Sequence, residues 1–258
     1  MRADYGERYR ELYNHHWWWR AREGFVLGII RAKQPPQGWK RILDVGCGDG
    51  LFFDQLAKFG DVEGVEPAEG LVSKRGPYRA HIHTVPFDGN FQPGKQFSLI
   101  LMLDVLEHLN DPVGALRHAL ALLEPRGTVL VTVPAFNLLW TNHDLINEHV
   151  ARYTRRRFRG LARQAGMEIK FDQYFFHWAF PAKLVTRLGE WVLGRKPVPP
   201  AVPSPAINRL LYRLSCFEQK TWGRLPIPFG SSYVAMGRKS TNETIEQGRE
   251  SSRKQTEN

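Results

Sequence analysis

Apolar and polar positions change period along this chain in a recurring order. Residues 41–45 form a short apolar run with no helical spacing and predict a buried strand. Residues 51–59 return to helical spacing, and residues 62–66 form a second strand pattern. A short helix over 68–74 and a third strand over 80–84 follow. Residues 97–103 are almost continuously apolar, as in a strand covered on both faces of a parallel sheet. A helix is expected from Pro112 to Leu123, with Asp111 as N-cap and proline at the first helical position. Residues 127–133 read as a fifth strand stopped by Pro134. After an aperiodic stretch from Ala135 to Arg159, a basic helix spans 154–165, Gly166 ends it, and 168–176 is a sixth strand. Residues 178–193 and 207–222 have helical spacing around a proline-rich linker at 196–205, and 230–237 is a further strand pattern. Strands alternating with helices predict an α/β fold with a parallel, doubly wound sheet and the site at the strand C-termini.

Two regions fall outside that alternation. Residues 4–33 carry one or two amphipathic helices, with His15-His-Trp-Trp-Trp-Arg20 near the middle. Three adjacent tryptophans point in three directions on a helix, so one helix face cannot cover them all. Packing against the sheet edge, a lid over the site and a membrane-interface belt all suit such a cluster. Residues 239–258 are polar and aperiodic and are expected to be a disordered tail.

The most specific stretch is Asp44-Val-Gly-Cys-Gly-Asp-Gly50, which links the first strand to the next helix. Glycines at 46, 48 and 50 permit a sharp turn and close approach of a ligand to the backbone. A dinucleotide fingerprint would need glycine at 51, where leucine stands. The second strand ends in Glu66, suited to accepting both hydroxyls of a ribose. The loop, this acid and Asp104-Val-Leu-Glu-His-Leu-Asn-Asp-Pro112 after the fourth strand resemble motifs of the class I S-adenosylmethionine-dependent methyltransferases.

The resemblance covers roughly residues 10 to 238. It implies a Rossmann-like, doubly wound, seven-stranded sheet, mostly parallel, whose last strand is antiparallel and pairs with the sixth. It also implies S-adenosylmethionine as cofactor. The expected organisation is an N-terminal helical lid (1–40), a methyltransferase domain (41–238) with a helical insert at about 177–229, and the tail. The implied cofactor contacts are Asp44 near the methionine end, then Gly46, Cys47, Gly48 and Gly50. Glu66 and Pro67 would serve the ribose, Thr84 and Val85 the adenine, and Asp104, Val105 and Leu106 the floor under the methyl donor.

Composition narrows the partners. The chain has 258 residues, 42% of them hydrophobic, which suffices for one α/β domain with elaborations. Its two cysteines, Cys47 and Cys216, make neither a disulfide framework nor a zinc site, and no apolar run approaches the ~20 residues of a membrane span. The expected location is the cytoplasm, peripheral to the inner membrane face. A net charge of +10 favours an anionic partner. Nucleic acid is disfavoured, because neither an Asn/Asp-Pro-Pro-aromatic motif after the fourth strand nor a Pro-Cys nucleophile is present. Basic segments with tryptophan, here Trp178, Lys183, Arg187 and Trp191, suit an anionic membrane surface.

For the chemistry, a hydroxyl acceptor needs a base. His143, Asp144 and His149, just beyond the fifth strand, are the candidates, and sequence does not choose between the two histidines. Asp104, Glu107 and His108 resemble the metal site of some quinone-biosynthesis O-methyltransferases, and with His143 or His149 as a fourth ligand they could hold Mg²⁺ or Zn²⁺. Aspartate replaces glutamate at its first position, and no metal ligand is assigned. The expected activity is methyl transfer to a small-molecule, isoprenoid- or lipid-linked, or glycan-linked acceptor. Nucleic-acid methylation and a catalytically silent binding protein of the same fold are the alternatives, and the oligomeric state stays open.

Overall fold

A computed structural model describes residues 3–194 and 196–240. Seven strands form one sheet in the order β3-β2-β1-β4-β5-β7-β6. They are β1 (Arg41–Val45), β2 (Asp61–Val65), β3 (Ile82–His83), β4 (Phe97–Leu103), β5 (Leu123–Pro134), β6 (Met167–Phe175) and β7 (Ser232–Lys239). The pairings β3–β2, β2–β1, β1–β4 and β4–β5 are parallel, whereas β7 runs antiparallel to both β5 and β6. This is the doubly wound sheet with an antiparallel last strand that the sequence predicts. β6 therefore runs in the direction of β5, and the C-terminal ends of β1, β2, β4, β5 and β6 share one edge.

Side chains alternate between two cores. Leu43, Ile100, Met102, Val129, Val131 and Tyr233 face the layer of α4 (Pro112–Ala121) and α6 (Arg155–Ala165), anchored by Phe158 and Leu116. Ile42, Leu99, Leu101, Leu130 and Val234 face the other layer, where α2 (Trp17–Ala32) buries Ala21, Val26, Ile29 and Ile30. The caps of α4 form as read: Asp111 accepts from Gly114 N at 2.8 Å, and Pro112 opens the helix. In α6, Thr154 accepts from Arg157 N and Gly166 closes the helix at φ +80°.

Some boundaries differ from expectation. The N-terminal stretch is two helices, α1 (Ala3–His15) and α2, broken at His16, whose extended backbone and ring nitrogen cap Trp18 N. The helix after the glycine loop shrinks to α3 (Phe53–Leu56). The chain must then turn at Gly60, where a Cβ would meet Trp39 O at 2.6 Å. β3 keeps only two residues, since its polar positions have one neighbouring strand to lean on. The segment 68–74 holds a single 3-10 turn, Glu69–Leu71. α5 (Asn142–Ile146) breaks the aperiodic stretch, and the insert supplies α7 (Ala179–Leu193) and α8 (Pro205–Lys220). The expected tail falls from residue 241 onward outside the described residues.

Candidate functional site

The glycine loop is built by its neighbours. Gly46 N and Cys47 N both donate to Val65 O, at 2.8 and 3.3 Å, tying the loop to the end of β2. Gly46, Gly48 and Gly50 have φ of +73°, +56° and +70°, where a side chain is strained. A Cβ at Gly46 would also meet Val105 Cγ2 at 2.8 Å. Glu66 receives Gly48 N on one oxygen (3.0 Å) and Ala68 N on the other (2.9 Å), which holds its carboxylate under the loop. Each oxygen keeps lone-pair capacity for a hydroxyl. Pro67 and Val85 are exposed and Thr84 half-buried at the rim, while Cys47 is buried beneath the loop in a cluster with Phe53, Val72 and Ile82.

Asp44 closes the inner end of this loop. It is 5% exposed, and burial raises its carboxyl to about 7, with Arg22 opposing the rise and Glu66 adding to it. Asp104, at the end of β4, has φ +55°, a strained conformation for a non-glycine residue. Thr132 Oγ1 donates to its Oδ1 (3.3 Å), and Arg22 Nε from α2 forms an ion pair with Oδ2 at 2.7 Å without hydrogen-bond alignment. Arg22 is a site residue that sequence reading missed, because nothing local links it to a residue 82 positions away. Leu106, expected on the same floor, has its side chain wholly buried in the core, and its carbonyl accepts from Tyr153 OH at 3.1 Å.

Over the loop lie α1 and α2. Arg10 pairs with Asp49, Gly48 faces Tyr9, and Tyr13 OH donates to Glu23 at 2.5 Å. A small cavity beneath them is lined by Tyr9, Tyr13, Arg22, Asp44, Gly46 and Leu103. The three tryptophans are half-buried. Trp17 packs on Phe176 and Trp178, Trp18 on Phe176, and Trp19 edge-on to His16.

Opposite this loop, residues 135–153 form a second cluster. Asp144 is wholly buried and accepts Arg152 Nε and Nη2 at 2.8 and 2.9 Å. It also accepts Thr141 N at 2.8 Å, and His149 Nδ1 lies 2.8 Å from its Oδ1. These hydrogen bonds and the Arg152 charge hold its carboxyl far below the usual aspartate range, although burial alone would raise it. Both oxygens are thus engaged, so Asp144 stands as the buried partner of Arg152, Thr141 and His149 rather than as a free carboxylate.

The His149 ring stands perpendicular to that of His108, with ring centroids 4.7 Å apart. His143 stands 6.3 Å from His149, with burial and then Lys183 lowering its pKa to about 4. Glu107 is wholly buried, its two carboxylate oxygens without a hydrogen-bond partner among the described residues. Burial, then Asp104, pushes its carboxyl well above the usual range. Ligand atoms of Glu107, His108 and His149 lie within 4.8 Å of one another, a donor set that the sequence reading had set aside.

α7 covers this cluster. Arg187 Nη1 donates to Asn137 O (2.9 Å) and Leu138 O, and Glu190 Oε2 accepts Asn142 N at 2.9 Å. Lys183, one turn before Arg187 and half-buried, has its ammonium lowered to about 8 by burial and then Arg152, while Asp144 and Asp104 act the other way. The strained non-glycine residues Asp104, Phe136, Glu148 and Phe176 all lie at the strand ends or loops around this region.

A family model described as a methyltransferase domain matches residues 10–170, from α1 through β1–β5 into β6. The chain belongs to this methyltransferase family. Curated relatives of the methyltransferase include the ubiquinone biosynthesis O-methyltransferase of Azorhizobium caulinodans, 32% identical over 156 residues (53% of this chain, 61% of the relative). The protein of the same name from Dinoroseobacter shibae is 36% identical over 109 residues (39% of this chain, 43% of the relative). The chain thus spans less than two thirds of these relatives' length. Among solved structures, the N-methyltransferase NodS of Bradyrhizobium japonicum with S-adenosylhomocysteine aligns at TM-score 0.52 and 14% identity, covering 89% of this chain and 90% of that one. A TehB-like methyltransferase of Corynebacterium glutamicum gives TM-score 0.52 and 19% identity, covering 92% and 97%. These likenesses concern the fold.

S-adenosylmethionine is the methyl donor of this family, and the residues present suit it. Gly46, Gly48 and Gly50 supply the left-handed backbone that the loop needs, Gly46 and Asp44 line the small cavity, and Glu66 is fixed with capacity to spare. Asp44 adds a pH signature. A carboxyl raised to about 7 is neutral at pH 6 and cannot attract an ammonium there. Affinity for S-adenosylhomocysteine will therefore rise between pH 6 and 7.5, where an α-ammonium keeps its charge, by several-fold to about tenfold. Isothermal titration across that window measures it, and Asp44→Asn is expected to flatten the slope.

Proposed function

We propose that the protein transfers the methyl group of S-adenosylmethionine to a hydroxyl of a small, lipid-linked acceptor. The observation that carries this reading is the Asp144–His149 pair at 2.8 Å, a histidine aligned by a buried carboxylate beside Glu107 and His108. The relatives named ubiquinone biosynthesis O-methyltransferase support oxygen as the acceptor atom.

Bound S-adenosylmethionine supplies a methyl carbon on a sulfonium, open to in-line displacement. The chain positions the partners and excludes water. The loop amides and Glu66 hold the nucleoside half, Asp44 attracts the ammonium, and Asp104, braced by Arg22 and Thr132, floors the space between the two halves. His149 Nε2 takes the acceptor's hydroxyl proton as the oxygen–carbon bond forms and the sulfur–carbon bond breaks, and Asp144 stabilises the resulting imidazolium. α1 and α2 act as a lid, with Arg10–Asp49 as the contact to open.

A second reading rests on the Glu107 carboxylate, which has no hydrogen-bond partner among the described residues. Glu107, His108 and His149 suit a divalent cation such as Zn²⁺, which would supply Lewis acidity to the acceptor oxygen.

The test incubates the protein with methyl-labelled S-adenosylmethionine and a bacterial extract, then separates organic, aqueous and nucleic-acid fractions. Label is expected in the organic fraction; label in RNA or DNA overturns the acceptor class. With the labelled acceptor, His149→Ala should reduce kcat by 10²–10⁴, roughly the range of general-base removal, and leave S-adenosylhomocysteine affinity unchanged. Loss of activity on chelation, restored by Zn²⁺, would favour the cation over the free base.

A further inference from the structure

We propose that the outward face of α7, with the exposed stripe of α8, docks the protein on an anionic lipid surface and so presents residues 135–153 to that surface. The proposal deepens the lipid-linked acceptor reading and rests on it for its purpose.

α7 has two faces with different partners. Its inward residues Arg187 and Glu190 clamp Asn137, Leu138 and Asn142. Outward, Val185 is 71% exposed, Leu188 58%, Trp191 81% and Val192 64%, of which 185, 188 and 192 fall on one helical stripe. α8 leaves Ile207, Leu210 and Phe217 exposed at similar spacing. Scattered exposed apolar residues are ordinary. Here they are concentrated: of fifteen large hydrophobic residues exposed among the described residues, fourteen lie between 138 and 229. Leu138, Leu145 and Val150 belong to the segment around His149 itself. The glycine-loop half contributes only Val85.

Charge selects the occupant. Between residues 178 and 225 the chain has eight Lys/Arg and two carboxylates. Both carboxylates are turned inward, Glu190 to Asn142 N and Glu218 to the amides of His177 and Trp178. A second copy would bring like charge against like charge. An anionic bilayer offers the opposite charge to the basic residues and an apolar interior to the stripe, and a tryptophan beside them suits the headgroup boundary. No described helix is long and apolar enough to cross a membrane, so contact through these helices lies along the surface.

The experiment floats the full protein with vesicles of phosphatidylcholine, with or without about 30% phosphatidylglycerol to supply the anionic surface potential. Binding to the anionic vesicles is expected, weakened at high salt and absent with phosphatidylcholine alone. Val185→Ser/Leu188→Ser/Trp191→Ser should reduce that binding at least tenfold, and Arg209→Glu/Arg213→Glu should reduce it while leaving the apolar stripe intact. Both variants should keep S-adenosylhomocysteine affinity, which shows that they fold. Wild-type protein that binds no anionic vesicle, or apolar variants that bind as the wild type does, overturns the proposal. So does a wild-type dimer in sedimentation that the triple substitution dissolves, which would assign the stripe to a second copy. Loss of S-adenosylhomocysteine binding by the wild type, with vesicle binding retained, would strike the methyltransferase reading and leave docking in place.

Discussion

Replacing Arg152 with methionine will lower the melting temperature by roughly 10 °C. Arg152 is 1% exposed and donates twice to Asp144 and once to Ala135 O. Methionine fills part of the volume but leaves the Asp144 carboxylate buried beside only His149 and Thr141. Removing one partner of a buried ion pair costs about 3–5 kcal/mol, and each kcal/mol is worth about 2–4 °C in a chain of this size. The pH dependence gives a second check. Because the folded state depresses the Asp144 pKa, the stability it contributes is fully present above the ordinary aspartate value of about 3.9 and is lost as pH falls below it. The difference between wild type and variant should therefore narrow in acid, and pairing Arg152→Met with Asp144→Asn should recover part of the loss at neutral pH. Differential scanning fluorimetry at several pH values reads all three.

Glu66→Ala will weaken S-adenosylhomocysteine binding by roughly 30- to 100-fold, about 2–3 kcal/mol, the scale of hydrogen bonds to a charged group. The carboxylate holds Gly48 N and Ala68 N and, on the proposed reading, both ribose hydroxyls. Alanine removes the acceptors and leaves the two amides without partners. Glu66→Gln keeps one acceptor oxygen and should lose about tenfold. Isothermal titration measures the affinities, and an unchanged far-ultraviolet spectrum would locate the effect in the site. An affinity equal to wild type would remove Glu66 from ribose recognition.

The fold was legible where physics is local. β4 announces itself as seven consecutive apolar or small residues, and the glycine loop by its spacing. Helix ends at Asp111 and Gly166 fell where their chemistry requires. The centre of the site was legible only as composition. Arg152 stood in view among the polar residues of segment 135–153, but periodicity does not reveal that it folds onto Asp144 and takes both of its carboxylate oxygens. Glu107 meets His149 from 42 positions away, and Arg22 meets Asp104 from 82. Such meetings are decided by sheet order and helix packing, which no single segment encodes. From sequence Lys183 is one charge in a basic insert, whereas α7 folds back over the cluster and brings it within electrostatic reach of Arg152, Asp144 and Asp104.

The place of β7 has a consequence for how the molecule is made. β6 pairs with β7 alone, and β7 enters the sheet more than fifty residues after β6 in the chain. As the polypeptide leaves the ribosome, β1 to β5 find their neighbours in turn, but β6 emerges with no strand to join. Until residues 232–239 arrive, β5 is an open edge, and the insert carrying α7 hangs from an unpaired strand. Translation thus completes the nucleoside-binding half first and leaves the greasy, basic half to the end, when long-range pairing is slowest and an unfilled strand edge most exposed to other chains.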